Sequence, residues 1–264
     1  MKKTKICALA LSACMALGVL AACDDTNATT TTSETTTEAT TTEDTTASSE
    51  SSEVIQSSEV DAEKIVFSGD EQKNANRFIS NFTELYFSDY SRDTATIEQY
   101  LNFAHINLKI NSNDKIKYET KDGTSFETFT FKDLVLVVGM NFSVPVNEED
   151  LKKLPAPSKD NYGPCYEDGK IWFQAADGES YSSIGIVDYA LNTGDGNLTL
   201  VFTIYQIKWE VYNDLSTEEM QKYYKLTPEQ AAADDTLEKV GTGSAYVGVG
   251  QSGSYFLLDY KTQQ

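Results

Sequence analysis

The feature that most restricts how this chain can fold is a long run of hydroxyl-bearing residues near its start. Between Thr26 and Val60, 20 of 35 residues are Thr or Ser, with Glu and Asp scattered among them. Such a segment has almost nothing to bury, so it cannot offset the entropy lost when a backbone is ordered. We therefore predict a disordered Thr/Ser/Glu-rich tether over residues 23–62. Folding is then confined to residues 63–264, which we predict to form a single domain.

The residues before the tether have the pattern of an export signal. Three lysines within the first five residues precede an apolar run, Ile6 to Val19. That run is shorter than the roughly 20 residues that a membrane-spanning helix needs. A positive start, a short apolar run and small residues at the end are typical of a cleaved signal peptide. We assign the signal peptide to residues 1–22.

The end of this signal resembles the lipobox of bacterial lipoproteins. The sequence Leu-Ala-Ala-Cys ends at Cys23. The resemblance implies that the Cys23 thiol carries a diacylglycerol and that the chain is cut just before it. Ordinary signal peptides also end in small residues, so simple cleavage is the alternative. Lipidation would anchor the protein on the outer face of the cytoplasmic membrane, exposed to the cell wall and the extracellular space.

The cysteine content and the net charge limit which disulfides and which partners are possible. Cys7 and Cys14 lie in the signal, which leaves only Cys165 in the domain, so no disulfide is expected within the mature chain. The predicted domain is long enough to bury a core without one. The formal net charge is −20, which repels nucleic acid, so we predict no nucleic-acid partner.

The order of helical and strand patterns predicts an α+β fold. Apolar residues at helical spacing predict one helix over residues 70–87 and a second from Asp93, which can cap it, to about Leu108. Leu134–Val138 fits either a helix or a strand. Strand patterns dominate from Lys170 onward and include a long strand over Leu198–Val211. We expect two N-terminal helices packed on a curved antiparallel sheet of four to six strands, as in nuclear-transport-factor-like or cystatin-like architectures.

The layout as a whole resembles the Thr/Ser-linked putative lipoproteins of Ruminococcus-like Firmicutes, a Gram-positive group. The resemblance is carried by the lipobox, the tether and three softer segments of the domain, which are residues 74–87, 172–180 and 241–245. It implies the mode of attachment and the fold, but it implies no activity and no site residue.

Residues for common catalytic chemistries are scarce. His105 is the only histidine, so any Ser–His or Cys–His arrangement would have to use it, with Cys165 as its only thiol partner. A boundary position on a helix is the favoured interpretation of His105. The spacings of zinc, calcium and phosphate-loop motifs do not occur. We therefore predict no catalytic residue, no metal and no cofactor, and we expect a protein that is not an enzyme.

The aromatic residues offer a different kind of site. Both faces of the predicted strand over Leu198–Val211 are apolar, which indicates either a sheet covered on both sides or a sheet with one face lining a groove. In the second case, five aromatic residues are candidates for stacking on a sugar or a peptide, namely Tyr166, Trp172, Tyr181, Tyr205 and Trp209.

Three functional hypotheses follow. The first is a non-catalytic extracellular domain that binds a glycan, a peptide or a protein partner. The second is a carboxylate-based surface hydrolase that acts on polysaccharide or cell wall, and it requires two acids in one cleft, one of them with a raised pKa. The third is a structural or assembly protein without a small ligand.

Overall fold

The computed structural model describes residues 63–87, 89–176, 183–250 and 253–263, which form an α+β fold with two antiparallel sheets. The predicted α+β class is therefore confirmed. The signal peptide, Cys23 and the whole predicted tether lie outside the described residues, so these assignments stay predictions.

The described residues contain seven α-helices and one short 3-10 turn at Asn113–Lys115. The helices are α1 (Gly69–Thr83), α2 (Ile97–Asn111), α3 (Phe131–Phe142), α4 (Glu148–Leu151), α5 (Trp209–Tyr212), α6 (Thr217–Tyr223) and α7 (Pro228–Ala233). The strands are β1 (Lys64–Ile65), β2 (Tyr90–Ser91), β3 (Lys117–Lys121), β4 (Thr124–Thr130), β5 (Cys165–Glu167), β6 (Lys170–Gln174), β7 (Ser183–Asn192), β8 (Asn197–Ile207), β9 (Leu237–Val249) and β10 (Tyr255–Gln263).

The larger sheet has six strands in the order β1-β7-β8-β9-β10-β2, and its outermost strands β1 and β2 are only two residues long. The smaller sheet has four strands in the order β3-β4-β6-β5. The sequence patterns predicted one sheet of four to six strands, and the second sheet was missed. Its strands are short, and α3 and α4 interrupt them along the chain.

Helix α1 lies along the open edge of β7 and bonds to its backbone. Gln72 Nε2 donates to the Val187 carbonyl oxygen at 2.8 Å, and Val187 N donates to Asn76 Oδ1 at 2.8 Å. One turn further on, Gly185 N donates to Ser80 Oγ at 3.1 Å. Because β1 covers only the far end of β7, these side chains take the place of a neighbouring strand.

This contact requires a glycine in β7. A Cβ atom on Gly185 would lie 2.3 Å from Ile79 Cγ2, closer than any ordinary contact. The absent side chain therefore lets the helix approach the strand backbone within hydrogen-bond distance.

The main core lies between the helices α1 to α3 and the two sheets, and it is rich in aromatic rings. The Phe82 ring stacks on Phe103 with centroids 5.2 Å apart, and Phe142 meets Phe103 edge-on at 4.8 Å. A second cluster on the other face of the larger sheet packs residues of α6 and α7 against Ile184, Ile186, Tyr205 and Ile207. The C-terminal end of β8 is therefore covered on both faces. This agrees with the first of the two interpretations of its apolar pattern, a sheet that is covered on both sides.

Local capping explains where two helices begin. Leu134–Val138 belongs to α3, which opens with a capping box between Thr130 and Asp133. Helix α2 begins at Ile97 rather than near Asp93, because Thr96 and Gln99 form its capping box. The prediction that Asp93 caps this helix was wrong.

The long strand is shorter than predicted. β8 ends at Ile207, and Trp209 opens the short helix α5 instead of continuing the strand to Val211. None of the helices in the part of the chain that the structure describes has the length and apolar character that crossing a lipid bilayer requires.

We expect Gly185→Ala to lower the free energy of unfolding by about 1–3 kcal/mol, because the added methyl pushes α1 away from β7. Chemical denaturation of both proteins measures this change. Gly139→Ala is the matched control. Gly139 lies in α3 with open space around its Cα, so this substitution should raise the free energy of unfolding by up to about 1 kcal/mol through better helix propensity. Equal effects of the two substitutions would contradict this account of the helix–strand contact.

Candidate functional site

The predicted aromatic residues do not gather at one surface. Tyr166 and Trp172 lie on neighbouring strands of the smaller sheet but on opposite faces. Tyr166 faces the main core, and its hydroxyl donates to Glu148. Trp172 packs on the other face against Phe126 and Cys165 and is 7% exposed. Neither ring offers a free stacking face.

The other three aromatic residues are also separate from one another. Tyr205 is buried in the second cluster beneath α6 and α7. Trp209 is 58% exposed on α5, where it stacks on Tyr212 with centroids 6.3 Å apart. Tyr181 lies outside the described residues.

His105 and Cys165 cannot act together, because they lie on opposite faces of the smaller sheet. The His105 ring stacks on Phe173 at 4.1 Å on the core side, whereas Cys165 pairs with Trp172 on the outer side. Burial raises the pKa of the Cys165 thiol, which makes it a poor nucleophile.

His105 instead belongs to a buried ionic contact. Glu127 is 2% exposed, and its two carboxylate oxygens lie 2.7 Å from His105 Nε2 and 2.8 Å from Lys109 Nζ. Burial opposes the charge of Glu127, but the bonds from Lys109 and His105 outweigh it and lower the pKa of the carboxyl. Burial also lowers the pKa of His105. The ionic contact links α2, which carries His105 and Lys109, to β4 of the smaller sheet, which carries Glu127.

Metal ligands do not cluster in the described part of the chain, where no group of three or more His, Cys, Asp or Glu side chains is placed to hold an ion. Asp195, in the loop between β7 and β8, accepts hydrogen bonds from Asn197 N and from the hydroxyls of Thr193 and Tyr246. The Asp195 carboxylate is therefore bonded by residues of its own loop and by Tyr246 on β9.

The strongest candidate site is a cavity of about 170 Å³ between the C-terminal end of α1 and the larger sheet. Its walls come from the end of α1 and from β7, β8, β9 and β10. The lining residues are Thr83, Tyr86, Phe87, Ser183, Ile204, Gln206, Val240, Tyr260 and Thr262. The cavity lies on the face of β8 that carries Ile204, opposite to the face of Tyr205.

The end of α1 shapes one wall through a Schellman motif. Phe87 N donates to the Phe82 carbonyl at 3.0 Å, and Tyr86 N donates to the Thr83 carbonyl at 3.2 Å. Tyr86 takes the left-handed conformation, with φ of 46°, at the position where glycine is usual. The sequence predicted that the helix continued through Tyr86 to Phe87, which was wrong because this motif ends it.

A β-bulge shapes the opposite wall. The pairing of β8 with β9 shifts between Ile204 and Tyr205, and this shift leaves Val240 as the extra residue. Bulges of this kind bend a strand and often lie beside functional sites. Here the bulge places Val240 in the cavity wall.

Two buried hydroxyl groups of the cavity residues have no hydrogen-bond partner. Among the described residues, the buried side-chain atoms without a partner are Thr83 Oγ1, Tyr260 OH and Arg92 Nε. Thr83 is 3% exposed and Tyr260 is fully buried, with its ring stacked on Phe202. Both oxygen atoms are closed to solvent, so these hydroxyls lie within the packed wall of the cavity and not on its open surface, and they are exceptions to the rule that buried polar groups are bonded.

Glu84 lies next to Thr83 in the chain but turns away toward Tyr224. The Tyr224 hydroxyl donates to Glu84 Oε1 at 2.6 Å, and Glu84 is 4% exposed. Burial raises the pKa of Glu84 to about 7, against the smaller opposing effects of Tyr224 and of the Arg77 charge. Among the described residues, the side chains that act on the pKa of Glu84 are Tyr224 and Arg77, and neither is a carboxylate.

Sequence reasoning missed Thr83, Ser183 and Tyr260, three hydroxyl-bearing residues that line the cavity. The one signal in the sequence is the spacing of polar residues in α1, where Gln72, Asn76, Ser80 and Glu84 recur at every fourth position beside the apolar stripe. Such a series on a helix predicts a second, polar contact face.

Comparison with family models, with curated proteins and with solved structures finds no match to this chain.

We expect Glu84→Gln to increase the free energy of unfolding, relative to the unchanged chain, by more at pH 8 than at pH 4.5. The folded carboxyl holds its proton up to a pKa of about 7 against 4.5 when unfolded, so its stabilising contribution is complete below pH 4.5 and is lost as the pH rises to 7. Gln keeps the acceptor for Tyr224 and does not ionise.

Urea unfolding at pH 4.5 and pH 8 measures this change. The difference in the free energy of unfolding between the Gln variant and the unchanged chain should rise by up to about 3 kcal/mol from pH 4.5 to pH 8. Glu238→Gln, at an exposed position on β9, should show no such gain. A pH-independent difference between Glu84→Gln and the unchanged chain would refute the assignment.

Proposed function

We propose that this protein is a membrane-anchored bacterial surface lipoprotein whose extracellular domain binds a partner without catalysing a reaction. The observation that supports this most is the cavity at the end of α1, whose lining has hydroxyl and amide groups but no carboxylate, imidazole or amine. Catalysis by proton transfer needs a titratable acid or base near neutral pH. A polar, uncharged cavity serves recognition instead.

In this proposal the lipid at Cys23 holds the protein on the outer face of the cytoplasmic membrane, and the tether over residues 23–62 carries the domain away from it. The partner is a glycan, a peptide or a protein in the cell wall or the extracellular space. The domain boundary at residue 63 and the nuclear-transport-factor-like or cystatin-like arrangement of two helices on a curved sheet belong to the same proposal. The packing of α1 along β7 supports that arrangement.

A carboxylate-based surface hydrolase is the second candidate, and Glu84 favours it. Its raised pKa suits a general acid, and it adjoins a cavity residue. Its burial and its bond to Tyr224 favour the binding role, since a general acid must reach the leaving group of a substrate.

Binding to arrays of glycans, peptides and cell-wall fragments distinguishes these roles. We expect the purified full-length protein to bind at least one class saturably and to release no product from it. Product release that Glu84→Gln abolishes would favour the hydrolase. If none of the three classes is bound, the structural or assembly role is favoured.

The anchor is tested separately by labelling growing cells with a fatty-acid probe. We expect the unchanged chain and Cys165→Ala to take the label, because Cys165 is a buried thiol of the domain. Cys23→Ser should lose it. A labelled Cys23→Ser protein would contradict the anchoring proposal.

A further inference from the structure

Helices α5, α6 and α7 lie on one face of the larger sheet. They occupy residues 209–233, between β8 and β9, and we name these residues the helical cover. The buried Tyr223 and Ala231 of the cover belong to one apolar cluster with Tyr205 and Ile207 of β8. The cover therefore hides apolar side chains of the sheet that would otherwise face solvent.

The helical cover is attached to α1 by a small set of polar contacts. Asn76 Nδ2 donates to the carbonyl oxygens of Tyr224 and Leu226, at 3.1 and 2.9 Å. The Tyr224 hydroxyl donates to Glu84 Oε1 at 2.6 Å. The contact of the cover with the sheet is mostly apolar. Among the groups in these polar contacts, Glu84 is the one that can change its charge near neutral pH.

A charged Glu84 is poorly solvated while the cover lies on the sheet. An ionised carboxylate has about four acceptor positions. Within the described residues, the Tyr224 hydroxyl is the side-chain donor that bonds to Glu84. The residue is 4% exposed, so water has little access to fill the remaining positions. Because an incompletely bonded charge is far more costly to bury than a neutral carboxyl group, the closed arrangement favours the protonated form.

The groups around Glu84 offset this cost only in part. Tyr224 at the end of α6 bonds to it, Arg77 on α1 attracts its charge, and Tyr212 on α5 lies close enough to be affected by that charge. Arg77 is exposed to solvent, which weakens its attraction. Burial raises the pKa of both tyrosines, so they are neutral at ordinary pH. Burial thus outweighs these effects and raises the pKa of Glu84 to about 7.

We propose that Glu84 is a proton-dependent latch, which holds the helical cover on the sheet when it is protonated and favours release of the cover when it is charged. Release moves the carboxylate into water and breaks its bond to Tyr224. It also exposes the apolar side chains beneath the cover, which are Ile184, Ile186, Tyr205 and Ile207. Because an exposed apolar patch of this kind is a contact surface, a rise in pH uncovers a surface that a lower pH hides. The latch goes beyond the proposed binding function, since it acts whatever the partner is.

The closed cover becomes less stable as the pH rises. In the released state Glu84 has its ordinary pKa of 4.5, against about 7 in the closed state. The latch is therefore fully effective below pH 4.5 and is lost progressively as the pH rises to 7. Between pH 5.5 and pH 8, the equilibrium constant for release should rise by about 10- to 30-fold.

Hydrogen exchange followed by mass spectrometry tests the latch in the purified full-length protein, with the unchanged chain and Glu84→Gln compared at pH 5.5 and pH 8. Because both proteins are measured under the same conditions, the ordinary pH dependence of amide exchange cancels in the ratio of their rates. For the amides of the helical cover, this ratio should rise by about 10- to 30-fold from pH 5.5 to pH 8. At pH 8 the cover of the unchanged chain should exchange at least tenfold faster than β8 and β9, because release is a local opening.

Tyr224→Phe removes the donor of the latch and keeps the burial of Glu84. It should speed exchange of the cover by about 3- to 10-fold at both pH values, the value of one hydrogen bond, and it should keep the dependence on pH. Glu229→Gln is the matched control, because Glu229 is an exposed carboxyl group on α7 of the same cover. Its exchange ratio to the unchanged chain should be the same at pH 5.5 and at pH 8.

Three results would overturn the latch. The first is an exchange ratio of the cover, between the unchanged chain and Glu84→Gln, that does not change with pH. The second is exchange of the cover that is no faster than that of β8 and β9 at pH 8, since Glu84 would then affect only unfolding of the whole domain. The third is a pH effect confined to the end of α1, which would mean that a charged Glu84 frays its own helix and leaves the cover in place.

Discussion

The structure depends on the hydrogen bonds between the polar stripe of α1 and the open edge of β7. Gln72, Asn76 and Ser80 bond to the strand backbone, so the helix replaces a missing strand and also packs its apolar stripe into the core. These bonds fix both the position and the axial register of α1. The register sets where the helix ends, and therefore where Thr83 meets the sheet and where Glu84 meets Tyr224.

Features of the fold that depend on neighbouring residues could be predicted from the sequence, and those that depend on distant pairing could not. The apolar stripes that predicted α1 and α2 are local signals, and the structure has both helices. The smaller sheet pairs Thr124–Thr130 with Lys170–Gln174, two segments separated by two helices. The residue pattern within each of these segments does not indicate that the two strands pair.

The candidate site was hidden because each of its residues resembles core when taken alone. Tyr260 is the last apolar residue of β10, and Tyr86 continues the stripe of a helix that a Schellman motif in fact stops. The predicted aromatic group failed to assemble for a geometric reason. Side chains alternate between the faces of a strand, so Tyr205 faces away from the cavity that its neighbour Ile204 lines.

The two outermost strands of the larger sheet have a consequence for how copies of the protein meet. A neighbouring molecule that extended this sheet at its β1 end would find only the two residues of β1, because α1 occupies the rest of the β7 edge. On the smaller sheet, β3 presents Lys117, Glu119 and Lys121 along its outer side. Copies crowded side by side would therefore have no long ladder to extend at the β1 end, so close packing need not lead to polymerisation through this edge.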